Sequence, residues 1–427
     1  MKNIIQSVKG TREFYPEEMA IRSWIYSILR EVSESYGYQE YDGPFLEKID
    51  LYAAKSGEEL IKEQAFVFED RGGGWVTLRP ELTPSLARMV AQKQNELAYP
   101  LRWWSFGPFW RYEKPQKGRT REFFQWNIDL IGAASVEADA ELVSVCVRFF
   151  QRVGLKPNQV RVLVNNRRLM DAELAEIGIS AEKKAGVFKL IDRREKLSRD
   201  GWREFALELG LTDQQFERIS ALLQDQDLWK KSPDLVRLFG ILEQMGMSDY
   251  VAFDPQIIRG LDYYTGTVFE AKDMDREGRS ILGGGHYDNL VGDVGGDPLP
   301  GVGFAMGDVM AALVLQKYGV LPEFSRSPAQ VLVTVFDAGL LPASFVLANQ
   351  MRLAGINTLC YPDPVKLQKQ LKYADRMGVR FVIILGPDEA AEGKATVKDL
   401  IRHAQSTVLQ SDVPATIREM LDNPPVL

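Results

Sequence analysis

Cysteine and histidine are both scarce in this 427-residue chain, which holds two of each: Cys146 and Cys360, His286 and His403. Two cysteines are too few for a disulfide framework or a cysteine zinc site, so both are expected to be reduced and buried. Two histidines exclude a polyhistidine metal centre, and no protein metal site is assigned. Histidine-based acid–base chemistry would have to fall to His286. No apolar run reaches the roughly 18 residues of a membrane span, and the N-terminus lacks a signal-peptide pattern. A soluble, cytoplasmic protein is expected. A basic excess is missing as well: the net charge is −7 and the pI near 5.3. That argues against a protein that coats nucleic acid indiscriminately, while leaving room for local basic patches that grip a phosphate backbone. What the chain does have is ordinary core material, 45% hydrophobic and 26% charged residues. Its length implies more than one domain on the soft prior of about 100–200 residues each.

The most informative stretch is 102–132. Two aromatic arms, 103–110 and 123–130, flank a loop rich in turn formers and cations. Aromatic and β-branched residues bounded by Gly and Pro predict strands, hence an antiparallel hairpin with a long tip. Strand side chains alternate between faces. Phe124, Trp126, Ile128 and Leu130 therefore share a core face, and Gln125, Asn127 and Asp129 the opposite one. By the same rule Arg111 and Glu113 share a face on the first arm. A polar stripe backed by an apolar face is either a solvated sheet surface or the floor of a site. Lys114, Lys117, Arg119 and Arg121, with no acid between them, favour the site.

Elsewhere the spacing predicts a helix over 16–36 and an edge or interface strand near Pro44. A second hairpin around Gly72–Gly74 delivers Thr77, Arg79, Glu81 and Thr83, and a helix over 83–94 follows. Arg79 and Glu81 could simply form a surface ion pair. A helix over 136–150 and a strand over 160–165 come next. From about 167 to 247 strand signals vanish, predicting an inserted helical subdomain solvated on most of its surface. Strand character returns at 251–254 and in RGLDYYTGTVFEAK, where Gly266 and two adjacent tyrosines inside a strand suggest close backbone approach to a ligand. A glycine-rich loop is expected between 280 and 303, and a helix over 307–317. A Pro/Ser-containing linker, 319–328, marks a boundary. Beyond it, strand–helix alternation predicts a small α/β domain with a parallel or mixed sheet. Its strands lie at 330–336, 356–361 and 379–385, its helices at 343–354, at 365–377 and from Asp412.

Three segments thus deliver polar groups to one antiparallel sheet: Glu81 and Thr83; Arg111, Glu113, Gln125, Asn127 and Asp129; Arg259, Tyr263 and Tyr264. Arginines beside carboxylates suit a ligand carrying both phosphates and an amine. The stretches TLRPELT, FWRYEKPQKGRTREFFQWNIDLIG, RGLDYYTGTVFE and GGGHYDNLVG resemble those of histidine–tRNA ligases, which are class II aminoacyl-tRNA synthetases. KLQKQLKYADRMGVRFVIILG resembles that family's anticodon-binding domain. The resemblance implies an α+β fold: a class II antiparallel sheet flanked by helices over 1–325, the helical insertion at 167–247, and an α/β anticodon-binding domain at 329–427. It also implies that ATP and L-histidine form histidyl-adenylate, whose histidyl group passes to the 3′ end of histidine tRNA. Mg²⁺ would be held mainly by the nucleotide, and the protein would be a homodimer. Arg111 and Arg259 would hold the α-phosphate, Glu113 and Phe124 the adenine end, and Arg121 the outer phosphates. Glu81, Thr83 and Gln125 would hold the amino acid's ammonium and carboxylate. Asp129, Tyr263, Tyr264 and Tyr287 would form the imidazole pocket. The acceptor stem would meet the loop carrying Lys114, Gln116, Lys117 and Arg119.

Two positions depart from the pattern. Where the family usually carries Gly-x-Glu-Arg, this chain has Gly307-Asp308-Val309-Met310, and His286 stands where relatives often carry arginine. These departures define an alternative: a non-catalytic, histidine-sensing regulatory subunit of ATP phosphoribosyltransferase. The intact RGLDYYTG stretch and the C-terminal domain favour the ligase.

Overall fold

The computed structural model describes residues 4–53, 64–116, 118–258, 264–275 and 280–423. Arg259, Tyr263 and Lys117 lie outside the described residues. The chain divides into two compact units, Met1–Pro322 and Glu323–Leu427.

In the first unit the aromatic hairpin is the spine of the sheet. β5 (Leu101–Trp110) pairs antiparallel with β6 (Glu122–Ile131) along their whole length. Around them lie β1 (Gln39–Glu40), β7 (Val160–Asn166), β8 (Val251–Phe253), β9 (Thr267–Asp273), β10 (Ser280–Tyr287) and β11 (Gly301–Gly307). The order is β1-β5-β6-β11-β10-β9-β7-β8, antiparallel except for parallel pairings at the two edges. A separate three-stranded sheet joins β2 (Leu46–Lys48), β4 (Trp75–Leu78) and β3 (Phe66–Glu69), in that order.

Alternation gives the large sheet two different faces. The back face carries Trp126, Ile128 and Leu130, packed beneath Ile25, Ile28 and Leu29 of α1 (Pro16–Ser35). It also meets Val143, Val147 and Phe150 on the helix over Val136–Arg152. Burying each such side chain contributes roughly 1.5–3 kcal/mol. Trp126 is fully buried, and its indole N–H donates to Ser33 Oγ at 3.1 Å, so its polar atom is not stranded. On the front face a smaller cluster joins Leu101, Ile131 and Val268 to Leu86 and Val90 of α2 (Thr83–Lys93).

The 167–247 region is helical throughout its longer elements: α4 (Arg167–Ile177), α5 (Ala181–Asp192), α6 (Arg199–Glu208), α7 (Asp213–Leu222) and α8 (Pro233–Gln244), with α3 being Val136–Arg152. Side-chain caps explain several starts: Asn166 accepts from the Arg168 and Leu169 amides, and Thr212 and Gln215 form a capping box. Most of its residues are exposed or half-buried, as expected, and its inner side is anchored to the sheet. Leu174, Leu190, Trp202, Phe216 and Leu238 are buried in one cluster with the sheet's back face. Their spacing gives each helix an apolar stripe that outweighs the charges on its outer side.

Two expectations change. Gly266 and Tyr264 precede β9 instead of lying within a strand, and the glycine-rich "loop" supplies β10 and β11. α9 (Asp308–Lys317) closes the unit.

The second unit is a mixed sheet ordered β13 (Thr358–Cys360), β12 (Val331–Val333), β14 (Phe381–Ile384), β15 (Lys394–Asp399), β16 (Ala404–Leu409). The first three strands are parallel and the last two form an antiparallel hairpin. Helices at Leu341–Leu353, Leu367–Arg376 and Val413–Asp422 complete it. Cys146 is buried, but Cys360 is only half-buried, and both thiols are free. Among the described residues no helix is long and apolar enough to cross a membrane.

Candidate active site

On the front face of the sheet, β6 presents Phe123, Gln125, Asn127 and Asp129 in a row. At about 3.4 Å of rise per residue this stripe runs about 20 Å. Opposite it, β11 presents Gly301, Gly303 and Gly307, and β10 presents Gly285, so the sheet is hollowed beside the stripe. Each of three glycines makes room for a predicted site residue. A Cβ on Gly303 would strike the Asp129 carboxylate, one on Gly301 would come within 2.7 Å of the Tyr287 ring, and one on Gly285 within 2.8 Å of the Tyr264 ring. The polar stripe is no solvated surface: Asn127 and Asp129 are 6% and 7% exposed. A core rejects such groups unless they serve something.

The inner end of the trough is an acceptor pocket. Tyr287 donates its phenol proton to Asp129 Oδ1 at 3.0 Å. Tyr41, which the sequence reading missed, stacks on Trp103 at 5.3 Å between ring centroids. Burial, and next the charge of Asp129, push its phenol pKa well above the ordinary value, so it stays a proton donor. Among the described residues Tyr41 Oη, Asn127 Nδ2 and Thr265 Oγ1 are buried without a hydrogen-bond partner. Buried polar atoms left open in this way mark a pocket built for a polar ligand.

At the outer end the strands leave an open cleft of about 570 Å³, counting the solvent at its mouth, lined by Arg111, Glu113, Arg119, Thr120, Phe123, Ile281, Val309 and Met310, among others. Arg111 and Glu113 lie just beyond the end of β5, not on the strand. Arg111 Nε donates to the Pro80 carbonyl at 3.0 Å, and the guanidinium stands over the Phe123 ring at 5.4 Å. Arg119 pairs with Glu113 at 3.2 Å. Pro80 leads directly to Glu81 and Thr83, both half-buried; Tyr52 donates to the Glu81 carbonyl at 3.3 Å.

A family model described as Histidyl-tRNA synthetase matches residues 10–309. The chain belongs to the histidyl-tRNA synthetase family. A second family model, described as Anticodon binding domain, matches residues 330–420. The histidine–tRNA ligase of Leptospira biflexa serovar Patoc is 35% identical over 434 aligned residues, 97% of this chain and 98% of that one. The chloroplastic/mitochondrial histidine–tRNA ligase of Arabidopsis thaliana is 38% identical over 418, covering 95% and 85%. The crystal structure of histidyl-tRNA synthetase from Nostoc sp. PCC 7120 matches with a TM-score of 0.83 at 26% identity, covering 98% of this chain and 100% of that one.

Several residues of this synthetase-family chain are not where the sequence reading put them. Phe124 faces the back of the sheet, against Phe14 and Phe106 and under Arg22, 4.3 Å from its ring. Alternation places Phe123 in the cleft instead. Arg121 does not line the cleft; it stacks on Tyr112 at 4.1 Å and donates to the Glu113 and Lys9 carbonyls, bracing the loop. Arg119, assigned to the tRNA-facing loop, does line it. Lys114 and Gln116 are exposed. Arg79 is fully buried and pairs with Asp42 instead of forming a surface pair with Glu81. It lies between the Phe45 and Phe109 rings. His286 points away from the trough. In the Gly307-Asp308-Val309-Met310 segment, Asp308 accepts from the Phe124 amide and pairs with Arg12, both at 2.8 Å. Val309 and Met310 therefore form an apolar wall across from Phe123.

Proposed function

We propose that this chain ligates L-histidine to histidine tRNA at the expense of ATP, forming AMP and pyrophosphate. The observation that carries the reading is the pairing of two chemistries on one strand. The Asp129–Tyr287 acceptor pocket lies at one end of β6 and the arginine-lined cleft beside Phe123 at the other. A carboxylate whose second partner is a neutral phenol suits an imidazole N–H. The trough between them is long enough to seat an amino acid and a nucleotide head to head.

In the first step an oxygen of the histidine carboxylate attacks the α-phosphorus, and the bond to pyrophosphate breaks. Arg111, with Arg259 contributed by the segment beyond Ile258, carries the charge that accumulates on the α-phosphate oxygens. Phe123 and Met310 enclose the adenine from opposite sides, Glu113 lies at its edge, and Arg119 meets the outer phosphates. Glu81, Thr83 and Gln125 hold the ammonium and carboxylate; Asp129, Tyr264 and Tyr287, with Tyr263, hold the imidazole. In the second step the terminal tRNA hydroxyl oxygen attacks the histidyl carbonyl, the bond to the phosphate of AMP breaks, and the hydroxyl proton passes to the departing phosphate. Positioning and charge stabilisation suffice for both steps. Among the described residues the cleft offers one carboxylate, Glu113, beside arginines, a donor set that fits a cation arriving on phosphates. Mg²⁺ so held by the triphosphate, with Glu113 nearby, would neutralise phosphate charge. Residues 1–325 form the catalytic part with its 167–247 helices, and 329–427 read the anticodon. The outer part of the loop, bearing Lys114, Gln116 and Lys117, meets the acceptor stem, while Arg119 faces inward to the phosphates.

The regulatory alternative is the weaker reading, because the anticodon-binding match has no use in a histidine sensor. Histidine-dependent exchange of pyrophosphate into ATP, followed by transfer of labelled histidine to histidine tRNA, tests the ligase. Absence of exchange by folded, Mg²⁺-supplied protein would overturn it. We also propose a cytoplasmic homodimer. Phe45, Leu46, Phe68 and Trp75 are 45–57% exposed on and beside one small sheet, an apolar grouping that a second copy would cover. Trp75→Asp is expected to shift the mass measured by light scattering from dimer to monomer; an unchanged mass would place the interface elsewhere.

A further inference from the structure

His286 precedes Tyr287 on β10, and successive strand residues face opposite ways. Its ring therefore enters the back of the sheet, where it is 3% exposed. Nδ1 lies 2.8 Å from Asp139 Oδ1 on α3, and Nε2 3.4 Å from Asp288 Oδ1. A neutral imidazole has one N–H and one lone pair, so one of these carboxylates would then face a lone pair. The doubly protonated ring donates to Asp139 and places its charge within ion-pair distance of Asp288. Asp139 is itself 5% exposed, and losing its cation would leave a buried carboxylate uncompensated.

The same residue holds the start of the segment that brings Tyr264 to the front. The Thr265 amide donates to the His286 carbonyl at 2.9 Å. A Cβ on Gly266 would stand 3.2–3.4 Å from the His286 Cβ, Cγ and Cδ2, so the glycine backbone approaches the imidazole side chain closely. On its other side the Gly266 carbonyl accepts from the Arg167 amide at 2.9 Å. Resting on the reading of the front pocket as the histidine site, we propose that His286 is a positioning residue for it. Its imidazolium, gripped behind the sheet by Asp139 and Asp288, fixes both Tyr287 and the Tyr264–Thr265–Gly266 turn in front.

Burial pulls the His286 pKa down, but the hydrogen bond and charge of Asp139, with Asp288, outweigh it and hold it above the ordinary value. The charged groups around the ring are Asp139 from α3, Asp288 after β10, and Arg168 from α4. Arg168 stands behind Asp288 at 3.5 Å and is also near Asp234 of α8. The cross-strand partner, Val302 of β11, is uncharged. Because the folded pKa is raised, the stabilisation is complete below about pH 6.5 and is lost as pH climbs through the folded value.

The test compares His286→Gln, Asp139→Asn and His286→Arg, the last keeping a cation with several N–H donors. In pyrophosphate exchange at pH 7.5, His286→Gln and Asp139→Asn are expected to raise the KM for histidine about tenfold or more. The KM for ATP should stay within about twofold, and His286→Arg should recover most of the loss. Amide exchange at Thr265 and Gly266 should quicken in His286→Gln. Nitrogen NMR of wild-type protein labelled at its two histidines should show His286, identified by its disappearance in His286→Gln, protonated on both nitrogens at neutral pH. An imidazole that loses a proton below about pH 7, equal losses for histidine and ATP, or His286→Arg no better than His286→Gln would each overturn the proposal. A wild type that exchanges no pyrophosphate with histidine would instead sink the ligase reading; NMR and amide exchange would still decide the clamp.

Discussion

Asp129→Ala raises the KM for histidine by two to three orders of magnitude and leaves the KM for ATP within about twofold, an expected loss of ~3–4 kcal/mol for a buried carboxylate facing a charged or strongly polar ligand group. The size follows from burial. Asp129 is 7% exposed and accepts the Tyr287 phenol proton, so its carboxylate is a buried charge at the inner end of the trough, where a change of charge is felt at full strength. Removing it leaves the Tyr287 phenol and the buried Tyr41 hydroxyl with nothing between them and the ligand. The adenine end lies about 20 Å away along the same strand at 3.4 Å per residue, which is why ATP should be indifferent. Steady-state pyrophosphate exchange with each substrate varied in turn separates the two. Comparable increases for histidine and ATP would show that Asp129 holds the sheet together instead of reading the amino acid. Asp129→Asn gives a finer check: it keeps the shape over Gly303, so a loss close to that of alanine would locate the effect in the charge.

Strong local patterns were legible in the sequence: both hairpins of the first unit, the helix after each, and the alternation that divides β6 into a core face and a polar face. That rule alone puts Phe123, not Phe124, beside Gln125 in the cleft; assigning Phe124 to adenine let a family pattern override the period of the strand. The burial of the stripe was not legible, because alternation is the same for a solvated face and for a floor. Nor was the role of the glycines. Gly285, Gly301 and Gly303 read as a loop because glycine is poor in strands, yet each faces a bulky or charged neighbour on the next strand or turn, a long-range fact. Arg79 misled for a similar reason: its partner Asp42 is 37 residues away. The hairpin of β15 and β16 escaped notice because β16 is almost wholly exposed and carries no apolar stripe.

Arg111→Ala is expected to lower the kcat of adenylation about 10²- to 10³-fold, the usual consequence of removing one preorganised donor from a developing charge. Its guanidinium is held before substrate arrives: Nε is tied to the Pro80 carbonyl and the plane stands over Phe123. A donor already fixed in place needs no reorganisation as charge builds on the α-phosphate, and that is what makes its loss costly. The KM for histidine should move little, since the imidazole pocket is at the far end of the trough. Arg111→Lys separates charge from geometry. Lysine restores the cation but cannot reproduce the planar fork or keep the contact to Pro80 while reaching the phosphate. Recovery by lysine of less than about a tenth of the lost rate would fit the fork. Full recovery would reduce Arg111 to a point charge, and the chemistry would then rest on Arg259 and Arg119. Single-turnover measurement of adenylate formation reads the step directly, free of tRNA binding and product release. A variant whose adenylation is unchanged while transfer to tRNA slows would move Arg111 out of the first step altogether.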